Sequence, residues 1–254
     1  MNEFNFSQEV IAITGGGGLL CGQMAKVLSQ YGSKIAILEN NLEKAKKICD
    51  EINAHGGKAL PIYVNVNQKK DFEQALDQIL DTFGIVTGLI NGAGINSPTP
   101  FFEISEEEWD SIVDSHLKGT FFGCQVFGKY LVQKKKGAIL NMSSASSGPP
   151  LSKAFAYSAA KAAIKNLTQN LAREWGQTGV RVNALRPGFF PTEWSQKHFI
   201  DERRREAIFS HTPMKRFGEA SELNGAVLWL MSPQSTFVTG AEIEVDGGFS
   251  AMTI

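Results

Sequence analysis

Short apolar runs alternate with stretches of helical spacing along the whole chain. The first run, VIAIT at residues 10–14, is apolar throughout, which is typical of a strand buried on both faces of a sheet. The predicted strands are residues 10–14, 34–38, 59–64, 87–90, 138–142, 180–185 and 242–245. The predicted helices are residues 23–31, 42–55, 69–83, 106–135 with a bend near Gly119, 154–175 and 223–231.

Strand and helix follow one another through short connections, and no Pro- or Ser-rich linker divides them. This order predicts βαβ units and a parallel sheet covered by helices on both faces. We therefore expect a single α/β domain over residues 1–254, built on a doubly wound, seven-stranded sheet. The longest irregular stretch, residues 187–213, is expected to form a substrate loop that acts as a lid.

The composition is that of an ordinary globular protein. Hydrophobic residues make up 43% of the 254 residues, charged residues make up 20%, and the net charge is −1. A chain so close to neutrality has no global field to recruit nucleic acid or an anionic membrane, and no run approaches the ~18 apolar residues of a membrane span. The basic runs at residues 134–136 and 203–205 are interpreted as solvated helix ends or faces.

The cysteines bear on location and on metal binding. Cys21, Cys49 and Cys124 are odd in number and show no C-x-x-C spacing, which fits reduced thiols better than disulfides or a metal site. The first residues, MNEFNFSQEV, lack the cationic and apolar regions of a signal peptide. We therefore expect a cytoplasmic protein that holds no metal.

Four consecutive glycines follow the first strand, in TGGGGLLCG at residues 14–22. The stretch is neither a P-loop, because no Gly-Lys-Ser/Thr follows, nor a match to G-x-G-x-x-G. It nevertheless lies where a strand leads into a helix, the place at which parallel sheets bind ligands. Bare backbone N–H groups there can hold an anion, so a phosphate cradle is favoured over a flexible turn.

A second polar segment, NMSSASSGPPLSKAFAYSAAK at residues 141–161, carries candidate catalytic groups. Tyr157 and Lys161 are four residues apart at the start of a predicted helix and share a face. Ser144 ends the fifth strand, so all three side chains can converge on the carboxyl edge of the sheet. A lysine ammonium beside a tyrosine, which normally titrates near ~10, is expected to favour the phenolate and give an acid/base usable near neutral pH.

With these motifs the chain resembles the short-chain dehydrogenase/reductase family from about residue 10 to residue 248. The matching stretches are TG at residues 14–15, LINGAG at 89–94, the Ser144, Tyr157 and Lys161 triad, RVNALRPG at 181–188 with Thr192 after it, and VTGAEIEVDGG at 238–248. The resemblance implies a single Rossmann-type domain, reversible hydride transfer with NAD or NADP, and a homotetramer or homodimer.

The resemblance also assigns roles to residues. Tyr157 would donate or accept the proton, Ser144 would bind the substrate hydroxyl, and Lys161 would bind the nicotinamide ribose and tune Tyr157. The residues implied for cofactor binding are Gly15, Leu19, Leu20, Glu39, Asn40, Asn65, Val66, Asn91, Ala93, Gly94, Tyr157, Lys161, Pro187, Gly188, Phe190 and Thr192. Asn91 would also steady the central strand, and Asn65 would hydrogen-bond the adenine edge.

The chain departs from the family pattern in two places. Leu19 and Cys21 occupy the positions of two later glycines, and Cys21 is small enough for close packing of helix on strand. In DSHLKGTF at residues 114–121, His116 stands where an asparagine usually completes the catalytic set. The relay role implied for that asparagine uses its backbone carbonyl, so activity is expected to survive; the alternatives are an altered relay or a packing histidine.

Cofactor choice is expected to depend on Glu39, which ends the second strand. A carboxylate there accepts from the ribose hydroxyls and repels a 2′-phosphate. The neighbours Gly16, Gly17, Asn40 and Asn41 supply no cation to offset that repulsion, so NAD is favoured over NADP.

The spellings TGGGG-x-LCG, RPGFFPTE and HTPMKRFG resemble a sugar-acid subgroup that comprises fructuronate reductases and D-mannonate oxidoreductases. A sugar acid needs a cation for its carboxylate and partners for its hydroxyls. The candidates are Asn96, Ser146 and Ser147 as polar groups, and Lys153, Arg186, Lys197, His198 and Arg203 as cations. A 3-oxoacyl reductase, a polyol reductase and a catalytically silent NAD-binding regulator remain alternatives.

Overall fold

A computed structural model of the protein describes residues 4–149 and 151–252. Its centre is a seven-stranded sheet in the order β3-β2-β1-β4-β5-β6-β7, with every neighbouring pair parallel. The strands are β1 Val10–Thr14, β2 Lys34–Glu39, β3 Lys58–Tyr63, β4 Gly88–Asn91, β5 Gly137–Met142, β6 Val180–Pro187 and β7 Glu242–Val245. The predicted fold is thereby confirmed.

Helices surround this sheet. They are α1 Leu19–Gln30, α2 Leu42–Ala54, α3 Lys69–Phe83, α4 Glu106–Val113, α5 Gly119–Lys134, α6 Phe155–Trp175, α7 Glu193–His198, α8 Glu202–Ser210 and α9 Asn224–Met231. Asn41 caps α2 through the Lys44 N–H, and Ser105 caps α4 through the Glu108 N–H. The helix predicted at residues 23–31 begins earlier, directly after the glycine run.

Two apolar cores lie on opposite faces of the sheet, because successive side chains of a strand point to opposite sides. In β1, Ile11 and Ile13 belong to the core that includes Met24 of α1. Val10 and Ala12 of the same strand belong to the core that includes Phe72 of α3. This double coverage explains why β1 is apolar at every position.

The long helix predicted at residues 106–135 is divided by one turn of π-helix, Asp114–Lys118, between α4 and α5. The bend expected near Gly119 is therefore at that place, although its cause is the wider turn. Such π-turns frequently occur at functional sites. This one carries His116.

Residues 187–213 are not wholly irregular, so that expectation is wrong in part. Thr192 caps α7 through the Ser195 N–H, and the Asp201 side chain caps α8 through the Arg204 N–H. Both helices lie over the carboxyl edge of the sheet, and the role of this segment as a lid stays a prediction.

Candidate active site

A cleft of about 730 Å³ lies at the carboxyl edge of the sheet. It opens between the neighbouring strands β1 and β4. From this point the strand order continues through β2 and β3 on one side and through β5, β6 and β7 on the other. Ligands of doubly wound sheets bind at such a switch point, because the loops that leave neighbouring strands diverge there.

The glycine loop after β1 is tightly packed. Gly15 has φ +67°, and a Cβ at this position would lie 2.8 Å from the Ala93 Cα. The N–H groups of Gly92 and Ala93 donate to Thr14 Oγ1 at 3.0 and 3.2 Å, which ties the loops after β1 and β4 together. Cys21 packs directly against Gly92, as its small size predicted.

The N-terminus of α1 faces this cleft. Gly18 is the N-cap and offers no side chain, so first-turn N–H groups of α1 have no side-chain cap. Gly18, Leu19 and Leu20 line the cleft. Uncapped N–H groups and the positive end of a helix dipole suit a phosphate group, so the loop fits the pyrophosphate of a dinucleotide.

The Glu39 carboxylate lies at one end of the cleft, held by the backbone. Its Oε2 accepts from the Gly17 N–H at 3.2 Å, and its Oε1 accepts from the Asn40 N–H at 3.0 Å. Lys44, which the sequence argument missed, lines the same end of the cleft. A Cβ on Gly17 would lie 2.7 Å from the Lys44 Cβ and 3.1 Å from Glu39 Oε2. The expectation that no cation neighbours Glu39 is therefore wrong.

Most residues implied for cofactor binding line the cleft. They are Gly15, Leu19, Leu20, Glu39, Asn40, Val66, Ala93, Gly94, Tyr157, Lys161, Pro187, Gly188, Phe190 and Thr192.

Two of the implied cofactor residues, Asn65 and Asn91, do not line the cleft, and their roles toward the cofactor stay predictions. Asn65 turns its Oδ1 to the Asn67 N–H, which leaves that oxygen engaged by its own loop. Asn91 is buried and donates from Nδ2 to Asn141 Oδ1 at 2.9 Å, a contact that joins β4 to β5. Its predicted role in steadying the central strand agrees with this contact.

The predicted triad converges in the cleft. Tyr157 and Lys161 lie on the first turns of α6, and the Lys161 Nζ is 5.5 Å from the centroid of the Tyr157 ring. Lys161 is buried and donates to the Met142 carbonyl at 2.6 Å. Ser144 follows β5, and its Oγ accepts from the N–H of Ser146 at 3.2 Å. All three triad residues line the cleft.

The protonation of Tyr157 differs from the expectation. Burial raises the pKa of Tyr157 above 10.0, and hydrogen bonding with Ser144 opposes that rise. Burial also lowers the pKa of the Lys161 ammonium to about 8. The prediction of a lowered Tyr157 pKa is therefore wrong, because burial disfavours the phenolate more than the Ser144 hydrogen bond favours it. In this environment Tyr157 is a neutral hydroxyl.

His116 packs against the Tyr157 ring, with centroids 4.9 Å apart in an edge-on arrangement. Its Nε2 lies 2.7 Å from the Ile95 carbonyl oxygen, which can only accept, so Nε2 carries the proton. Burial lowers the pKa of His116 well below 6.5, so the ring is neutral. Its Nδ1 is buried and has no hydrogen-bond partner among the described residues.

The backbone carbonyl of His116 accepts from the Gly119 N–H within the π-turn. A carbonyl oxygen has a second lone pair, so this bond leaves one acceptor site. The side chain and carbonyl of His116 thus offer two acceptors beside the cleft, at Nδ1 and at the oxygen.

A buried carboxylate that the sequence did not single out holds the Ser144 turn. Glu242 of β7 accepts from Ser143 Oγ at 2.6 Å and from Ser147 Oγ at 3.0 Å, on either side of Ser144. Lys165 of α6 pairs with the same carboxylate at 3.0 Å. Sheet, helix and turn are thereby fixed to one group.

Arg186 belongs to this cluster and does not line the cleft, which corrects its prediction as a substrate residue. It is buried, its Nη1 pairs with Glu244 at 2.7 Å, and its Nη2 donates to the Ala145 carbonyl at 3.3 Å. Lys153 is also outside the cleft lining, exposed and 4.0 Å from Asp201.

Of the predicted substrate residues, Asn96 and Ser146 line the cleft. The cation that lines its substrate end is Arg204, whereas the sequence had singled out Arg203. The sequence does not distinguish it, because Ala207 and Phe209 flank Ile208 in α8 and only the structure shows that Ile208, four residues after Arg204, is the buried position.

Residues 4–149 and 151–252 contain no cluster of three or more His, Cys, Asp or Glu side chains that could hold a metal ion. None of their helices combines the length and apolar character needed to cross a bilayer.

Comparison with known proteins identifies a matching family profile and several similar proteins. Residues 20–250 match the profile of a family described as enoyl-(acyl carrier protein) reductase. The chain is 40% identical to the Bacillus subtilis protein named uncharacterized oxidoreductase UxuB, over 97% of this chain and 96% of that one.

Two solved structures are similar over almost their whole length. A Haemophilus influenzae protein with the provisional name D-mannonate oxidoreductase, solved with bound NAD, is 37% identical with a TM-score of 0.92, over 98% of each chain. A gluconate 5-dehydrogenase of Burkholderia cenocepacia, solved with NADP and tartrate, is 28% identical with a TM-score of 0.94, over 99% of each chain.

Proposed function

The chain belongs to the short-chain dehydrogenase/reductase family, and from that premise we propose an NAD-dependent oxidoreductase that acts on a sugar acid. The reaction is hydride transfer between the nicotinamide and a secondary alcohol or ketone, of the mannonate or fructuronate type. The observation that carries this proposal is the convergence of Ser144, Tyr157 and Lys161 in one cleft with the glycine loop.

Tyr157 and Ser144 act on the reacting oxygen. When bound, the nicotinamide supplies the hydride chemistry. The Tyr157 hydroxyl donates a proton to the oxygen of a ketone, which suits a group whose pKa is raised by burial. The Ser144 hydroxyl holds the same oxygen and directs it at Tyr157. In the direction of alcohol oxidation, Tyr157 accepts the proton.

Lys161 and His116 lie behind Tyr157 and connect it to the remainder of the cleft. With a pKa of about 8, the Lys161 ammonium can give and regain a proton near neutral pH. We propose that the backbone oxygen of His116 takes the place of the asparagine carbonyl in a water-mediated relay from Lys161. His116 thereby takes the place that an asparagine has in the family pattern.

The preference for NAD rests on the Glu39 carboxylate. Two backbone N–H groups orient it at the end of the cleft, where it can accept from both hydroxyls of a ribose. A 2′-phosphate would meet this negative charge, and Lys44 would offset part of the repulsion. Of the two similar structures, one holds NAD and the other NADP. For this chain we propose that the charge of Glu39 outweighs that of Lys44.

Support for a sugar-acid substrate comes from the relatives and from the cleft. Both similar structures carry sugar-acid names, and the substrate end offers Asn96, Ser144 and Ser146 to hydroxyl groups. We also propose a cytoplasmic location, because all three cysteines are buried free thiols.

Steady-state assays with NAD and NADP test the proposal. The substrates are hexonates and their keto acids, the matching neutral polyols, and 3-oxoacyl esters. The expected result is the highest kcat/KM with a sugar acid and NAD. A higher kcat/KM with a 3-oxoacyl ester or a polyol would replace the proposal by a reductase of that class. NADH binding without any turnover would indicate a silent regulator.

A further inference from the structure

Arg204 lies at the substrate end of the cleft, on the helix that covers it. Asp201 caps α8 by accepting from the Arg204 N–H at 2.7 Å, and Ile208, one turn further on, is buried. Arg204 and Ile208 therefore share the inner face of α8. The adjacent Arg203 and Arg205 are exposed, and Arg205 pairs with Glu202.

The charged side chains that line the described cleft are few, and each has its own place. Glu39 and Lys44 line the end proposed for the adenosine, and Lys161 donates to the Met142 carbonyl. That leaves Arg204 as the cation of the substrate end. The lining of the same cleft also includes the apolar residues Leu151, Phe199 and Ile200.

The Arg204 guanidinium is anchored and only partly satisfied. Nη1 donates to Ser152 Oγ at 3.1 Å, and Nη2 donates to the Ser152 carbonyl at 2.9 Å. A guanidinium has five N–H donors, so three remain. Among the described residues no carboxylate forms an ion pair with it: Asp201, which interacts with the guanidinium electrostatically, pairs with Lys153 at 4.0 Å, and Glu202 pairs with Arg205.

The anchor also fixes the guanidinium relative to the catalytic tyrosine. Ser152 lies five residues before Tyr157, in the segment that leads into α6. A planar, pre-oriented guanidinium that keeps its charge binds a carboxylate through two parallel hydrogen bonds. An apolar wall strengthens such a pair by excluding water.

We propose that Arg204 binds the carboxylate of the substrate and so selects acidic over neutral sugars. This inference rests on the sugar-acid function proposed above and deepens it. Arg204 is in this sense a specificity residue, and the proton and hydride steps do not require it.

Matched pairs of substrates test the inference, D-gluconate with D-glucitol and D-mannonate with D-mannitol, each pair differing only at the acid carbon. In Arg204→Gln, we expect KM for the acid to rise about ten- to a hundredfold with little change in kcat, because a charge-assisted hydrogen bond is lost. KM for the neutral polyol should stay within about twofold of its wild-type value. Arg204→Lys keeps the charge and should recover part of the loss.

The controls separate binding from structure. Arg203→Gln removes an adjacent exposed charge and should leave every constant unchanged. Ser152→Ala removes only the hydrogen bond from Arg204 to the Ser152 hydroxyl. If Arg204 had a purely structural role, Ser152→Ala would reduce kcat/KM as much as Arg204→Gln does, for the acid and the polyol alike. Thermal unfolding and NADH binding of each variant verify that the protein is folded.

Two results would overturn the inference, and they differ. If the wild-type enzyme oxidises an acid but Arg204→Gln behaves like Arg203→Gln, Arg204 does not bind the carboxylate, and the proposed function stands. If the wild-type enzyme prefers the neutral polyols throughout, the sugar-acid function fails and the inference fails with it.

Discussion

One hydrogen bond and burial together fix the protonation state of the His116 imidazole. The Ile95 carbonyl at 2.7 Å requires a proton on Nε2, and burial keeps the second nitrogen unprotonated. The His116 and Tyr157 rings meet edge-on, and Nδ1 of His116 keeps an unprotonated lone pair. A neutral histidine can position the tyrosine and accept a hydrogen bond, but it cannot act as the acid of the reaction.

The Tyr157 hydroxyl is the group that we expect to transfer the proton. Tyr157→Phe keeps the ring and its contact with His116, and removes only the hydroxyl. We predict a fall in kcat of at least about 10²-fold, with NADH affinity nearly unchanged. Turnover assays and NADH fluorescence measure the two quantities. Tyr130→Phe, on α5, is the matched control, and a Tyr157→Phe enzyme with more than a few per cent of wild-type turnover would contradict the assignment.

The Glu39 carboxylate is the second residue whose charge has a measurable consequence. Glu39→Ser with Asn40→Arg removes the repulsion and adds a phosphate partner, so we predict that the ratio of kcat/KM for NADP to that for NAD rises at least about a hundredfold. Lys44→Gln alone should lower the use of NADP and leave that of NAD. An unchanged ratio in the double variant would show that Glu39 does not contact the ribose.

At the scale of elements, the Glu242 cluster joins β7, β6, α6 and the Ser144 turn. Burial raises the pKa of Glu242, but hydrogen bonds from Ser143, Lys165 and Ser147 outweigh burial and leave it below 4.5. A carboxyl whose pKa is lower in the folded state stabilises the protein above about pH 4.5, and this stabilisation is lost as the pH falls through the folded value.

Glu242→Gln should therefore lower Tm at neutral pH, and its difference from the wild-type Tm should disappear as the pH falls through the folded pKa of Glu242, which lies below 4.5. The kcat should fall because the Ser144 turn loses its charged anchor. Thermal unfolding across pH and steady-state kinetics measure both effects. Glu244→Gln is the control, since Glu244 is more exposed and contacts Arg186 without holding the turn. A Tm difference that is constant with pH would refute the role of the Glu242 charge.

Elements with a strong pattern could be predicted closely. β1 and β7 have the predicted bounds, and so does α3. The helices α7 and α8 were missed because they are short and polar, with Ile208 as the buried residue of α8. Their caps are visible in the sequence, but a cap without an apolar stripe is a weak signal.

Site residues could be predicted where a motif fixes the position of the backbone. They were harder to predict where the direction of the side chain decides whether it reaches the cleft. The triad converges because its spacing follows from a strand end and one helix turn. Asn91 matches a motif yet turns inward to Asn141. Arg204 could not be separated from Arg203 and Arg205, because the rotation of α8 about its axis is set by tertiary packing. The Tyr157 pKa depends on burial, which spacing does not reveal.

At the scale of the whole molecule, several aromatic side chains are exposed. Phe102 is 99% exposed and stacks edge-on with Phe101, which in turn contacts Phe155 at the start of α6. Phe121 is exposed on α5, and Phe237 is fully exposed shortly before β7. The family resemblance implies that α5 and α6 pack between subunits and that the last strand lies in a second interface, so Phe121 and Phe155 are expected at the first interface and Phe237 near the second.

We predict a homotetramer or homodimer at micromolar concentration, which sedimentation velocity measures against the chain mass of 27.7 kDa. Phe121→Asp should shift the distribution toward smaller species, because it places a charge on α5. Tyr63→Asp, at an exposed aromatic on β3, should leave the distribution unchanged. A wild-type protein that sediments only as a monomer would refute the assembly.

The close approach of Gly94 and His116 limits the order in which sequences of this kind can change. A Cβ on Gly94 would occupy the same space as the His116 ring, so no larger residue at position 94 is compatible with this histidine. A lineage can exchange asparagine for histidine at position 116 only while glycine stands at position 94. Once the histidine is present, the glycine is locked in. The two positions are thus coupled in one direction: replacing Gly94 requires a change at His116 first, whereas replacing His116 requires no change at Gly94.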